Sequence, residues 1–134
     1  MIRTALALIA LVRVLGPAHA APPSKCAGST QMDINQCAGA DLKRADTAMN
    51  AAYSKLMGQI GSKAQAGLRE AQKAWLPFRD KTCALEAQGT EGGSMQPMVI
   101  ASCLTVLTTE RTKALRGYLT CSEGDASCVG RFSE

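Results

Sequence analysis

The residues able to do chemistry are few, and their types exclude more than they offer. The sequence holds six cysteines and a single histidine, His19. Cys26, Cys37, Cys83, Cys103, Cys121 and Cys128 form an even set with no C-x-x-C pair, which argues against a zinc site and for disulfides. His19 lies in a segment expected to be removed on export. The remaining chain then has no imidazole to activate a serine or cysteine, shuttle a proton or ligate a metal. A C-x-x-C-H haem attachment is also missing. Met95 and Met98 are only two thioethers, better suited to packing than to a soft metal. No catalytic residue, cofactor or metal is therefore expected.

The export signal is read from residues 1–20. Arg3 supplies a positive start, Thr4 to Val12 a short apolar run, and Ala18-His19-Ala20 a small-x-small cleavage site. A membrane span needs ~20 apolar residues, and Arg13 interrupts this run. A signal peptide cut after Ala20 is the reading that fits. No cysteine stands at the cut to carry a lipid, so the product is expected to be periplasmic or secreted with no membrane anchor. Losing Arg3 and Arg13 lowers the formal charge from +4 to +2. Both signs are mixed along the chain, and no basic run suggests a nucleic-acid partner.

Residues 21–134 suffice for one domain with a modest core, the kind that disulfides commonly reinforce. Helical periodicity dominates residues 21–120. Ile34, Ala38, Leu42, Ala45, Met49, Ala52, Leu56 and Ile60 recur at steps of three and four. Thr30 and Asp33 form a capping-box pattern at the start, and Gly61 suits a left-handed close. Ser62 with Gln65 offers a second capping box. Ala64, Leu68, Ala71, Trp75, Phe78, Thr82 and Leu85 then define a second helix that continues through Pro77. Gln88 to Ser94 is a loop, and Pro97 suits the first turn of a third helix carrying Ile100, Leu104, Leu107, Arg111, Leu115 and Tyr118. The pattern stops near Thr120, leaving 121–134 as a short tail closed by its own bridge. The expected architecture is an all-α, antiparallel three-helix bundle with short loops, stapled by disulfides.

Each residue advances ~1.5 Å along a helix, so reflection through the two turns places residues at common levels. Asp46 falls beside Arg79, Arg111 beside Trp75, Trp75 beside Met49 and Asn50, and Cys103 beside Cys83. Arg111 interrupts an apolar stripe and must find a partner. A polar cluster of Asp46, Asn50, Arg79, Thr108 and Arg111 around Trp75 is expected, with Asp46–Arg79 as its ion pair. A network that fixes helix register is the favoured role. The simplest disulfide set is Cys26–Cys37, Cys83–Cys103 and Cys121–Cys128. Cys37–Cys83 with Cys26–Cys103 is its rival.

Several segments together resemble the LprI-type lysozyme-inhibitor domain. They are Thr30-Gln-Met-Asp-Ile-Asn-Gln-Cys37, Asp46-x-x-Met49-Asn50-x-x-Tyr53, and Ala74-Trp-Leu-Pro-Phe-Arg-Asp-Lys-Thr-Cys83. Gly92-Gly93-Ser94, Ala101-Ser-Cys103-Leu104 and Thr108-x-x-Arg111-x-x-x-Leu115 complete the match, which covers roughly residues 26–119. The resemblance implies a small helical domain outside the cytoplasm whose partner is lysozyme or another muramidase.

Such an enzyme cleaves glycans with two carboxylates in a cleft. An inhibitor need only fill that cleft with a rigid projection and offer donors. Gly89, Thr90, Glu91, Gly92, Gly93 and Ser94 form the candidate target-binding loop, with Thr90, Ser94 and backbone amides as the donors. A formal +2 gives no long-range attraction to a basic lysozyme, so recognition would rest on local contacts. The alternative is a non-enzymatic envelope interaction or immunity-like module with a different protein target.

Overall fold

The computed structural model describes residues 28, 30–120 and 125–129. The expected signal peptide, Cys26 and Cys121 lie outside the described residues. Three helices run in chain order: α1 (Gln31–Met57), α2 (Ser62–Glu86) and α3 (Gln96–Leu119), with a 3-10 turn at Gln88–Thr90 between the last two. Among the described residues there is no strand, so the fold is an all-α three-helix bundle. α2 runs antiparallel to its neighbours, which makes α1 and α3 parallel. The Asn35 amide near the start of α1 accordingly donates to the Ser94 carbonyl just ahead of α3, at 3.0 Å.

The capping box is present at Thr30. Its hydroxyl accepts from the Asp33 amide at 3.2 Å, and the Asp33 carboxylate accepts from the Thr30 amide at 3.2 Å. The Thr30 hydroxyl also donates to that carboxylate, and these bonds hold the Asp33 pKa below its ordinary value. Pro97 sits in the first turn of α3, and α2 continues through Pro77 without a break.

The turn between α1 and α2 departs from the sequence reading. Helix α1 ends at Met57 and is capped by Gly58 in right-handed geometry. Gly61 is not left-handed; it is extended, with φ −68° and ψ 167°, and serves as N-cap of α2. Gln65 does not complete a box with Ser62. Its side-chain amide reaches back to the Met57 and Ile60 carbonyls at 2.9 and 3.1 Å. The orphan carbonyls at the end of α1 thereby gain a donor that the expected glycine close would have supplied by its backbone.

Helix α1 packs far more extensively on α3 than α2 packs on either. The α1–α3 seam is built from small residues: Ala38 and Ala52 on one side, Ala101, Thr108 and Thr112 on the other, all buried. The Thr112 hydroxyl donates to the Thr108 carbonyl of its own helix at 2.8 Å, so it enters the seam without an unmet donor. Below the seam Met49, Ala52, Leu56, Ile60, Leu68 and Leu115 form the apolar core. Trp75, Tyr118 and the tail residue Val129 pack around it.

The stripe expected on α2 holds at Ala64, Leu68, Trp75 and Thr82 and fails at three positions. Ala71, Phe78 and Leu85 are exposed, the last two by 60% and 64%, while Gln72, Trp75, Arg79 and Cys83 face inward. The inward face therefore overlaps the one that hydrophobicity predicts and is displaced from it only by a fraction of a turn.

Two outcomes follow from this packing. Leu115 is fully enclosed, so Leu115→Ala should cost about 2–5 kcal/mol, read as a lowered urea midpoint with retained helical circular dichroism. Asp33 should titrate below the usual carboxylate range by NMR. Because its folded pKa is depressed, its contribution to stability is present above the unfolded pKa and lost as pH falls through the folded one. Thr30→Val should raise the Asp33 midpoint part of the way to its ordinary value, since the Thr30 backbone N–H still donates to the carboxylate; an unchanged midpoint would remove the hydroxyl bond as the main cause.

Candidate functional site

Arg79 is the centre of the polar cluster. One turn before Cys83 on α2, it is only 12% exposed at its side chain. Its Nη1 donates to Asp46 Oδ1 on α1 at 3.0 Å and to Thr108 Oγ1 on α3 at 3.1 Å. Its Nε donates to neighbouring Asp80 at 2.9 Å. The guanidinium also lies 5.3 Å from the Trp75 ring centroid, within cation–π range. One side chain thus bonds both other helices.

Arg111 approaches the same indole from α3 at 5.8 Å. Its Nε donates to Gln72 Oε1 at 3.0 Å, and the Gln72 amide lies 3.5 Å from Met49 Sδ. One Arg111 nitrogen, Nη2, is buried without a hydrogen-bond partner. The structure therefore brings Asp46, Trp75, Arg79, Thr108 and Arg111 together. Asn50 is exposed on α1 and stands outside the group. Gln72 was missed in the sequence. Its place one turn ahead of Trp75, at the reflected level of Arg111, was the available signal.

This arrangement ties the three helices together. Asp46, Asp80 and Thr108 all accept from Arg79, and among the described residues no cluster of three or more His, Cys, Asp or Glu could hold a metal. No helix among them is long and apolar enough to cross a membrane.

The Cys83–Cys103 disulfide joins α2 to α3 with a Cα separation of 5.6 Å. That bond excludes the rival set pairing Cys37 with Cys83. Cys37 and Cys128 are disulfide-bonded as well.

The 88–94 segment is a structured tip. The Gln88–Thr90 turn is followed by Gly92 at φ +72°, the left-handed region that favours glycine. The Thr90 amide and hydroxyl both donate to the Ala87 carbonyl, at 2.9 and 2.8 Å. The Glu91 amide donates to Gln88, the Gly93 amide to Thr90, and the Gly92 amide to Gln96 Oε1 at 3.1 Å. These bonds correct the expected donor set, because the turns consume Thr90 and most of the amides. The exposed side chains left to meet a partner are Gln88, Glu91, Ser94 and Met95.

A disulfide-stapled helical bundle with a braced hairpin tip is the class defined by these features. The family model described as "Lysozyme inhibitor LprI" matches residues 24–115. An uncharacterized protein of Rhizobium meliloti (strain 1021) is 36% identical over 133 residues, covering 87% of this chain and 95% of that protein. No solved structure matches. The chain belongs to the LprI lysozyme-inhibitor family.

The cluster geometry makes Arg79 the costlier residue to lose. Asp46→Ala leaves Arg79 its bonds to Thr108 and Asp80, whereas Arg79→Ala strips a partner from each of α1 and α3. Asp46 is 40% exposed at its side chain, so solvent screening should hold the pair's coupling in a double-mutant cycle near ~1 kcal/mol. Arg79→Ala alone should exceed Asp46→Ala, while Asn50→Ala stays within about 0.5 kcal/mol of wild type. Equal losses for Asp46→Ala and Asn50→Ala in urea unfolding would remove the ion pair as a structural tie.

Proposed function

We propose that this protein is an exported inhibitor of lysozyme or a related muramidase, acting by non-covalent binding at the enzyme's cleft. Membership of the family supports the activity. The observation that carries the choice of surface is the bracing of the hairpin tip, Gly89 to Ser94. The tip is exposed, yet its amides are tied inward, Ser94 is held from Asn35 of α1, and Cys83–Cys103 lies close beneath it. A projection fixed before binding loses little conformational entropy when a cleft closes on it. Gln88 and Ser94 supply side-chain donors for a carboxylate pair, and Glu91 can face the basic surface around the cleft.

A second reading has its own observation. Phe78 and Leu85 are exposed one heptad apart on the outer face of α2, a surface suited to an envelope protein partner instead of a cleft.

The test is hydrolysis of purified cell-wall glycan by several lysozyme types, with and without the oxidised protein. Gly89 is the position for a blocking variant, because a Cβ there meets nothing within 4 Å. Gly93 is less suitable, since its Cβ would press on the Thr90 carbonyl at 3.1 Å. Dose-dependent inhibition should fall at least about tenfold in Gly89→Trp, equivalent to ~1.4 kcal/mol of binding, with the thermal melt unchanged. Inhibition that survives Gly89→Trp but is lost in Phe78→Glu would move the working surface to α2. Failure of the folded protein to inhibit any lysozyme type would end the proposal.

A further inference from the structure

Away from the hairpin tip, α2 meets α3 through small residues. Ala64, Gly67 and Ala71 recur at steps of three and four on α2, and none of them has a side chain long enough to fill the space in front of it. They border a groove of about 310 Å³ that is also lined by Leu68 of α2, Arg111 and Tyr118 of α3, and Val129 of the tail. Leu68 is buried, Tyr118 and Val129 are half-buried, and Gly67 and Ala71 are exposed. A Cβ on Gly67 would meet nothing within 4 Å. Small-molecule sites begin at roughly 300 Å³, so the groove has room for a ligand of fragment size. From Ala71 to Glu86 the helix rises about 22 Å, which separates the groove from the tip.

Arg111 is the charged residue of this lining, and its surroundings differ from those of Arg79. Arg79 is paired with Asp46 and Asp80. Among the described residues no carboxylate lies within ion-pair distance of Arg111. Its Nε is spent on Gln72, and its Nη2 is buried without an acceptor. Nη1 has no partner among the described residues either, and it is not enclosed. A guanidinium keeps its charge at any working pH and has only donors to offer. Beside apolar walls, that charge favours an anion that brings acceptors with it. A carboxylate does so through charge-assisted bonds, about twice as strong as neutral ones.

We infer that this groove binds a small monocarboxylate with a short apolar body, the carboxylate on Arg111 and the hydrocarbon against Ala64, Leu68 and Val129. Each half of the ligand answers one half of the site. A neutral hydrocarbon would fill the groove and leave the cation unmet. An inorganic anion would meet the cation and leave the apolar walls to water. The site uses no residue of the tip, so it stands whether or not the protein inhibits a muramidase.

Trp75 is the single tryptophan, and its ring centroid lies 5.8 Å from the Arg111 guanidinium. Its fluorescence in the full oxidised protein, titrated with hexanoate, tests the site. Methyl NMR shifts of Leu68 and Val129 read the same titration directly, should the indole stay silent. Saturable binding with a Kd on the order of 0.1–1 mM is expected. Hexan-1-ol and phosphate, each lacking half of the chemistry, should bind at least about tenfold more weakly. Arg111→Gln should weaken hexanoate to the same degree. Gly67→Leu fills the groove while keeping the arginine, and it should do likewise with the thermal melt unchanged, which keeps the test open if Arg111→Gln does not fold. N-acetyl-leucine distinguishes the source: tighter binding than hexanoate supports a peptide carboxyl end, and weaker binding a free acid. Equal affinities for hexanoate and hexan-1-ol overturn the inference, as does hexanoate binding that survives Gly67→Leu. Absence of any saturable shift overturns it too. Binding that emerges only when residues 130–134 are removed would assign the groove to the chain's own tail and overturn it as well.

Discussion

One turn of α2 holds the bundle together. Arg79 and Cys83 lie four residues apart on the same face, and between them they reach both other helices: Cys83 covalently to Cys103, Arg79 by hydrogen bonds to Asp46 and Thr108. Such anchors are needed because α1 and α3 pack so closely. Alanine and threonine let those two helices approach, and they leave few large apolar ridges for a third helix to fit. Helix α2 therefore joins through long side chains, a disulfide and an indole. Once Arg79 and Cys83 must face inward, Trp75 follows on the same face and Phe78 and Leu85 are carried to the outside.

The two arginines around Trp75 are not equivalent. Arg79 is largely withdrawn from water, but it has two carboxylates, a hydroxyl and a ring face in exchange. Arg111 has only Gln72 and the same ring, and its buried Nη2 is unmet. Leaving a buried donor unpaired costs ~1–3 kcal/mol, which is about what a partly buried cation–π contact returns, ~0.5–2 kcal/mol. Arg111 is close to neutral for stability on this reckoning, and Arg79 is the tie.

How much of this was legible depended on the range of the interaction concerned. Thr30 with Asp33, and Pro97 in a first turn, are local devices, and local chemistry states them outright. Cys83 beside Cys103 and Asp46 beside Arg79 required only helix rise and two turn positions. The phase of α2 was legible only in part, because Phe78 and Leu85 outweigh Gln72 and Arg79 on any hydrophobic scale, and tertiary partners reversed that order at those positions. The α1–α3 seam escaped for a related reason. Thr108 and Thr112 count as polar in a periodicity reading, yet a hydroxyl bonded to its own helix or to Arg79 is cheap to bury. Gly61 went astray because Gln65, a side chain from the next helix, took over the capping work.

The tip shows a division between residues that make its shape and residues that can meet a partner. Thr90, Gly92 and Gln96 are spent on internal bonds, so changing them would alter the projection itself. Gln88, Glu91, Ser94 and Met95 face outward and carry little of the fold. A small domain can act on an enzyme if it presents a fixed shape, since blocking a cleft requires fit and rigidity and no bond making. The anchoring turn of α2 lies directly beneath that shape. The same Cys83 that sets the helix phase also stiffens the base of the hairpin, which links the packing of the bundle to the surface proposed to work.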